Sequence, residues 1–267
     1  MNNIQLLILM MFCSTLIHGQ DITNDDFEIL NQSTDWQLKF YDHCSGDWQS
    51  KWFLDGLRAE IENTKDGMVF SAGPVEGDHA CHAVLWTKDS FKGDVKIEYS
   101  YTRTDTRTIW VNILYIQATG IDPYSSDISE WNHLRIIPYM STYFMNMKAL
   151  HISYAAFNRD NPDGKNDYIR ARRYPLTPGE NFGTTTEIPP SHFRTGLFNP
   201  GETYKITVIK TNEKLNFRVE GQNDSKLFSW DLTDSQTVSE GRIGLRHMFT
   251  RSARYKDFKI YTKQSAF

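Results

Sequence analysis

Short alternating runs of apolar and polar residues, separated by turn residues, recur along most of this chain and leave little room for helices. Val95-Lys96-Ile97-Glu98-Tyr99-Ser100-Tyr101 alternates with period two, the pattern of a half-buried strand. Residues 57–61 and 68–70 flank Asn63-Thr64-Lys65-Asp66-Gly67, whose Asp-Gly end predicts a hairpin turn. Residues 83–86 form a short apolar run, and 109–118 is more continuously apolar, as an inner strand would be. In the second half, residues 204–209 and 215–219 flank a turn at 211–214, and further strand-like runs follow at 226–230, 241–248 and 255–261. The one helix candidate is 139–149. About twelve short strands with little helix predict an all-β sandwich or barrel. No Pro/Ser-rich linker divides them, so residues 36–267 read as one domain. The polar or Gly/Pro-rich stretches near 119–130, 138–149, 158–166 and 174–200 read as long central loops, where function tends to sit.

Composition narrows the partners. The net charge of -4 and the pI near 6.1 give no global basic field, which argues against nucleic acid. Residues 4–17 are almost wholly apolar, too short to span a bilayer comfortably, with the length of a signal-peptide core. Residues 1–19 are therefore expected to be a cleavable signal peptide. Residues 20–35 read as a flexible N-terminal arm, and the mature chain as periplasmic or secreted with no membrane anchor. Beyond the leader only Cys44 and Cys81 remain. An isolated pair in an exported chain points to a disulfide. The alternative is two unpaired thiols.

Residues 131–173 hold the richest chemistry. In an extended strand Trp131, His133 and Arg135 would share one face, and Tyr168, Arg170 and Arg172 another. Each stripe joins an aromatic ring to cations. Between them lies Leu150-His151-Ile152-Ser153-Tyr154. Asp160-Asn161-Pro162-Asp163-Gly164-Lys165-Asn166-Asp167 has the composition of a calcium loop but lacks the EF-hand spacing, so it reads as a turn. His79 and His82 flank Cys81 without a second ligand cluster, and no metal or cofactor is expected.

Several strings together carry a family resemblance. His82-Ala83-Val84-Leu85-Trp86-Thr87-Lys88, Phe91-Lys92-Gly93-Asp94-Val95-Lys96-Ile97-Glu98-Tyr99, His151-Ile152-Ser153-Tyr154-Ala155 and Tyr168-Ile169-Arg170-Ala171-Arg172-Arg173-Tyr174 resemble the bacterial domain of unknown function 1961. The closing Gly241-Arg242-Ile243-Gly244-Leu245-Arg246 and residues 255–261 look like the last strands of concanavalin-A-like jelly rolls. The resemblance spans about residues 36–262. It implies a jelly-roll β-sandwich of two antiparallel sheets and a place in bacterial polysaccharide degradation. It further implies similarity to the oligosaccharide dehydratases of marine ulvan breakdown, which eliminate water from a terminal glucuronic acid.

Elimination at a uronate needs a cation or hydrogen-bond donor on the carboxylate, a base for the C5 proton and an acid for the departing C4 oxygen. Arg170 and Arg172 would hold the carboxylate or a sulfate, with Arg135 and Tyr168 beside them on the two stripes. His133 or His151 would be the base, and Tyr154 the acid. Alternation puts His151 and Tyr154 on opposite faces unless a bulge intervenes. His82 belongs to the resembling string and is a further candidate. Trp110 and Trp131 could stack on sugar faces, and Asn112 could bind a hydroxyl. Dehydration is preferred slightly over chain cleavage. The rival class is a non-catalytic carbohydrate-binding module. A glycoside hydrolase ranks third, because the Glu-x-Asp-x-x-Glu strand of jelly-roll glucanases is absent.

Overall fold

The computed structural model describes residues 24–233 and 238–263, so the expected leader at 1–19 lies outside the described residues. Along these residues run β1 (Gln37–Asp42), β2 (Trp52–Asp55), β3 (Glu60–Thr64), β4 (Gly67–Ser71), β5 (Ala83–Thr87), β6 (Phe91–Lys92), β7 (Asp94–Arg103) and β8 (Trp110–Gly120). They continue as β9 (Met147–Phe157), β10 (Asp167–Tyr174), β11 (Glu187–Phe193), β12 (Thr203–Lys210), β13 (Lys214–Glu220), β14 (Ser225–Asp231), β15 (Glu240–His247) and β16 (Ser252–Lys263). Three α-helices join them: α1 (Asn24–Asn31), α2 (Met140–Asn146) and α3 (Phe182–Thr185).

The strands form two antiparallel sheets. The first runs β14-β13-β12-β7-β16-β4-β3, with β1 also on β16. The second runs β11-β10-β9-β8-β15-β5-β2, with β6 also on β15. Period-two alternation decides what lies between them. Val95, Ile97 and Tyr99 of β7 meet Leu114 and Ile116 of β8 and Ile152 and Tyr154 of β9 in one core. A second apolar cluster lies on the other face of the second sheet. There Val84, Trp86, Ile113 and Tyr115 are covered by Tyr143 of α2 and by Ile128 and Trp131 of the preceding loop. An antiparallel sheet facing water would carry polar residues there. The apolar stripe exists because the central loop folds back over it.

The predicted hairpin turn forms, with Thr64 opposite Gly67. Gly67 is at φ +130°, and a Cβ there would lie 2.4 Å from the Tyr255 carbonyl oxygen, so only glycine fits. The helix candidate at 139–149 ends early: α2 stops at Asn146, and Met147 begins β9.

Three expectations are corrected. The arm expected to be flexible contains α1, docked on the first sheet across its described residues. Phe27 is buried under the Arg218 guanidinium, Arg218 pairs with Glu28, and Lys96 Nζ donates to the Asn31 carbonyl (3.0 Å). Burying one Phe side chain contributes about 1.5–3 kcal/mol, enough to hold so short a helix down. The stretch near 174–200, expected as loop, contains α3 and β11. Its Pro189-Pro190 pair is tolerated because β11 is the edge of its sheet. Cys44 and Cys81 are both free thiols. Cys44 is enclosed in the core between the sheets with its thiol toward the Asp42 carbonyl oxygen, and burial pushes that thiol up from its ordinary pKa. Cys81 packs against Gly73 with its Sγ toward Asp78.

Candidate functional site

Register places the chemistry. Across the second sheet, cross-strand partners form a continuous row: Phe53, Trp86, Gly244, Tyr115, His151, Arg172 and Glu187. The neighbouring row on the same face is Asp55, Val84, Arg246, Ile113, Ser153 and Arg170. The middle of both rows lies under α2 and the covering loop, and their β10 end lies against α3 and β11.

Gly244 makes this arrangement possible. A Cβ there would sit 2.4 Å from the Trp86 ring. Without one, Trp86 lies over the strand and stacks on Tyr115 (5.3 Å, 19°), and Tyr115 stacks on Tyr143 of α2 (5.9 Å, 8°). Asp55 anchors the edge of the stack. Its carboxylate accepts from Trp86 Nε1 (2.8 Å), Asn132 Nδ2 (2.6 Å), Arg135 Nε (2.6 Å) and the Tyr143 hydroxyl (2.8 Å).

His151 stands between Tyr115 (5.8 Å) and Tyr174 (5.0 Å), opposite Arg172. Its Nε2 lies 3.4 Å from Ser153 Oγ, and its Nδ1 has no hydrogen-bond partner. Burial first, then the charges of Arg172, Arg246 and Arg170, hold His151 well below the ordinary imidazole pKa, so it is neutral at neutral pH. Burial raises Tyr115 and Tyr174, so both are protonated phenols. Around Tyr115 the Arg246 charge and contacts from Tyr174 and Arg246 offset part of that rise.

The cations differ in how they are held. Arg172 donates to the carbonyls of Phe182 (3.0 Å) and Gly183 (3.1 Å) and to Thr186 Oγ1 (2.7 Å), all neutral acceptors in or beside α3. Arg170 is half-buried, bonded to Ser191 Oγ (2.6 Å) and near Glu187 (3.4 Å), with its guanidinium over Tyr168 and Phe193. Arg246 is fully buried over the Tyr143 ring (4.5 Å). Its Nη2 donates to the Pro138 carbonyl (2.8 Å), while Nε and Nη1 have no acceptor.

The structure brings together only some of the predicted residues. His151, Arg170, Arg172 and Tyr168 share the outer face. The expected strand at 131–137 is instead a 3-10 helix, Asn132–Arg135, so its stripe does not exist. Its sequence alternates by chance; contacts to Asp55 and Ile128 decide the conformation. His133 is exposed there, away from the rows. Arg135 is buried in an ion pair with Asp55 and lies over Trp131 (4.2 Å), which stacks on Tyr124 (4.7 Å). Arg135 is held through Nε and Nη2, with Nη1 left without a partner, and Trp131 is packed between Arg135 and Tyr124. Tyr154 and Asn112 point between the sheets. Tyr154 lies 3.2 Å from the Tyr255 hydroxyl, and Asn112 donates to the Tyr101 hydroxyl (2.7 Å). The left-handed residue Ala155 follows Tyr154, so the irregularity comes too late to bring His151 and Tyr154 to one face. His82 is on the outer face but one row further on, packed on Phe249 (3.8 Å) and pushed down to about 2 by burial, Arg246 and His79. Trp110 is half-buried beneath Arg159 (4.6 Å).

Sequence reasoning missed Tyr115, Tyr174 and Arg246. For Arg246 a signal was present: Arg242, Gly244 and Arg246 alternate with Ile243, Leu245 and His247, which splits β15 into a polar and a core face. A cleft of about 390 Å³ lies elsewhere, lined in part by Arg103, Phe157, Lys165, Asp167 and Arg194. Arg103 there donates to the carbonyls of Asp105, Arg107 and Phe198. The Asn/Asp-rich stretch beside it is a turn, closed by Asn161 Oδ1 accepting from Asn166 N (2.7 Å). Among the described residues, no three His, Cys, Asp or Glu side chains converge as metal ligands, and no helix is long and apolar enough to cross a membrane.

The model of the domain of unknown function DUF1961 matches residues 44–260. The chain belongs to that family. No curated protein matches it. Among solved structures, a Bacillus subtilis protein of unknown function with a galectin-like fold superposes with a TM-score of 0.62 at 16% identity, covering 86% of this chain and 100% of the other. The exoplasmic/lumenal domain of VIP36, solved with Ca2+ and Man3GlcNAc, gives 0.56 at 12% identity over 86% and 92%. Basic winged bean lectin with Tn-antigen gives 0.52 at 8% identity over 83% and 96%. At these identities the likeness is one of fold: this DUF1961 member is a lectin-like jelly roll of two antiparallel sheets, as the resemblance implied.

Proposed function

We propose that this DUF1961 protein is a carbon–oxygen lyase acting on uronic-acid-containing oligosaccharides. The observation that carries the reading is His151, neutral and with an unpartnered Nδ1, set between two protonated tyrosines and opposite Arg172. In this scheme the C5 proton passes to His151, the C5–H electron pair becomes the C4–C5 double bond, and the C4–O bond breaks. Tyr115 or Tyr174 protonates the departing oxygen. If C4 bears a hydroxyl, water leaves and a 4,5-unsaturated uronate remains; if it bears a sugar, the chain is cleaved. Dehydration of a terminal glucuronic acid in ulvan-type degradation is the preferred case.

Substrate would tune the base. The Arg charges depress His151, and a carboxylate bound among them would offset those charges and raise its basicity. The lectin-like fold agrees with a sugar partner, and Arg170 over Tyr168 and Phe193 offers an accessible cationic and aromatic edge to an acidic or sulfated chain. Such a partner supports a periplasmic or secreted location. The same edge supports the second reading, a non-catalytic carbohydrate-binding module.

The test is incubation of purified protein with uronate oligosaccharides. New absorbance from a conjugated double bond, with loss of one water by mass, is expected. Shorter fragments would specify chain cleavage. Sugar binding without either product on any uronate substrate would leave the binding module.

A further inference from the structure

Arg246 poses an electrostatic problem that the fold does not solve. Its guanidinium is a cationic group, yet it is fully buried and two of its three nitrogens have no acceptor. Its third goes to a neutral carbonyl. Asp55, the carboxylate across the Tyr143 ring, is already engaged by four donors, one of them Arg135. The next cation on the face, Arg172, hydrogen-bonds only neutral acceptors, although Glu187 is its cross-strand neighbour. A buried charge without a counter-ion is strongly unfavourable. On the same face His151 Nδ1 has no partner, and the Tyr174 hydroxyl has only the neighbouring Tyr115 phenol. A buried water could satisfy hydrogen bonds but not charge. An oxyanion satisfies both.

We propose that Arg246 anchors a carboxylate-binding site on the outer face of the second sheet, completed by Arg172 and the Tyr174 hydroxyl, for the carboxylate of a uronic acid. The uronate identity rests on the elimination reading above; the anion site itself does not. The site explains why the covering loop is folded over a charged residue. The Pro138 carbonyl and the Tyr143 ring hold the guanidinium in place before any ligand arrives. The half-buried Arg170 and Tyr168 mark the side of the face nearer solvent.

The experiment is calorimetric titration of the full chain with D-glucuronic acid, glucose and glucose 6-sulfate, paired with melting curves of wild type, Arg246→Met and Arg246→Lys. Glucuronic acid is expected to bind at least about tenfold more tightly than glucose, from a charge-assisted contact. Arg246→Met should lose that preference and, unliganded, melt at the same or a higher temperature. Arg246→Lys should keep the preference with weaker binding. Equal affinity for glucuronic acid and glucose in the wild type would overturn the site, as would a preference retained in Arg246→Met. Tighter binding of the sulfate ester than of glucuronic acid would overturn the carboxylate assignment. A melting temperature lowered in both variants would make Arg246 structural and overturn the proposal. A glucuronate preference without elimination would sink the reaction and leave the site standing; undiminished elimination by Arg246→Met would do the reverse.

Discussion

Asp55 joins several elements of the outer face through one carboxylate. Its Oδ2 accepts from Trp86, Arg135 and Tyr143 at once, so it ties β5, the covering loop and α2 to one strand end. Asp55→Ala leaves Arg135 buried without a counter-ion, and a loss of about 3–5 kcal/mol is expected by urea denaturation. The two classes of tyrosine give a sharper test of the chemistry. Replacing whichever of Tyr115 and Tyr174 donates the proton with Phe should lower elimination by about 10²–10⁴-fold. Tyr154→Phe should leave the rate unchanged, because Tyr154 is on the opposite face of β9 among Tyr101, Tyr255 and Phe198. A rate loss in Tyr154→Phe equal to that in the others would defeat the assignment. Sequence alone set Tyr154 and His151 on opposite faces unless a bulge intervened, and the unbroken register of β9 from His151 to Tyr154 removes Tyr154 from the site.

At the scale of elements, the strands were legible because alternation is local. The predicted runs at 95–101, 204–209 and 215–219 lie within β7, β12 and β13, and the turn at 211–214 sets the pairing of the last two, whereas β7 pairs with β12 from a distant part of the chain. The 3-10 helix at Asn132–Arg135 was not legible, since four residues that alternate by type carry too little pattern to resist Asp55. Gly244 is the element-level hinge of the site. Gly244→Ala pushes a methyl into the Trp86 ring and is expected to cost about 1–3 kcal/mol, with a changed near-ultraviolet signal from the displaced Trp86–Tyr115–Tyr143 stack. Near-identical spectra would mean the stack tolerates the methyl. The helix α1 depends on one buried side chain. Phe27→Ala should free it to limited proteolysis ahead of Trp36 while the sheets stay resistant.

At the scale of the whole molecule, the three histidines buried among the described residues contribute to the response to acid. His82 and His247 are pushed down to about 2 and about 3, and His151 well below 6.5, in each case first by burial. A depressed folded-state pKa gives stability that is fully present above the unfolded value near 6.5 and is lost as pH falls toward the folded value. Each histidine therefore removes up to about 1.4 kcal/mol per pH unit below that point. The urea midpoint should fall between pH 7 and pH 5, and His247→Gln should flatten the fall. A midpoint independent of pH over that window would show that these rings titrate freely. Without reductant, denatured protein should also be alkylated at both Cys44 and Cys81, since both are free thiols.

The sequence by itself determined the strands, the all-β class and the Arg-rich segment, because period two and turn chemistry act between residues a few positions apart. It determined that Tyr168, Arg170 and Arg172 share one face of β10. The tertiary structure alone decided which strands face one another and what covers the outer sheet. Those choices moved the site from residues 131–173 to a row that crosses β5, β15, β8, β9 and β10. Arg246 and Tyr115 entered it because antiparallel register sets residues far apart in the chain side by side, while burial set the charge state of His151.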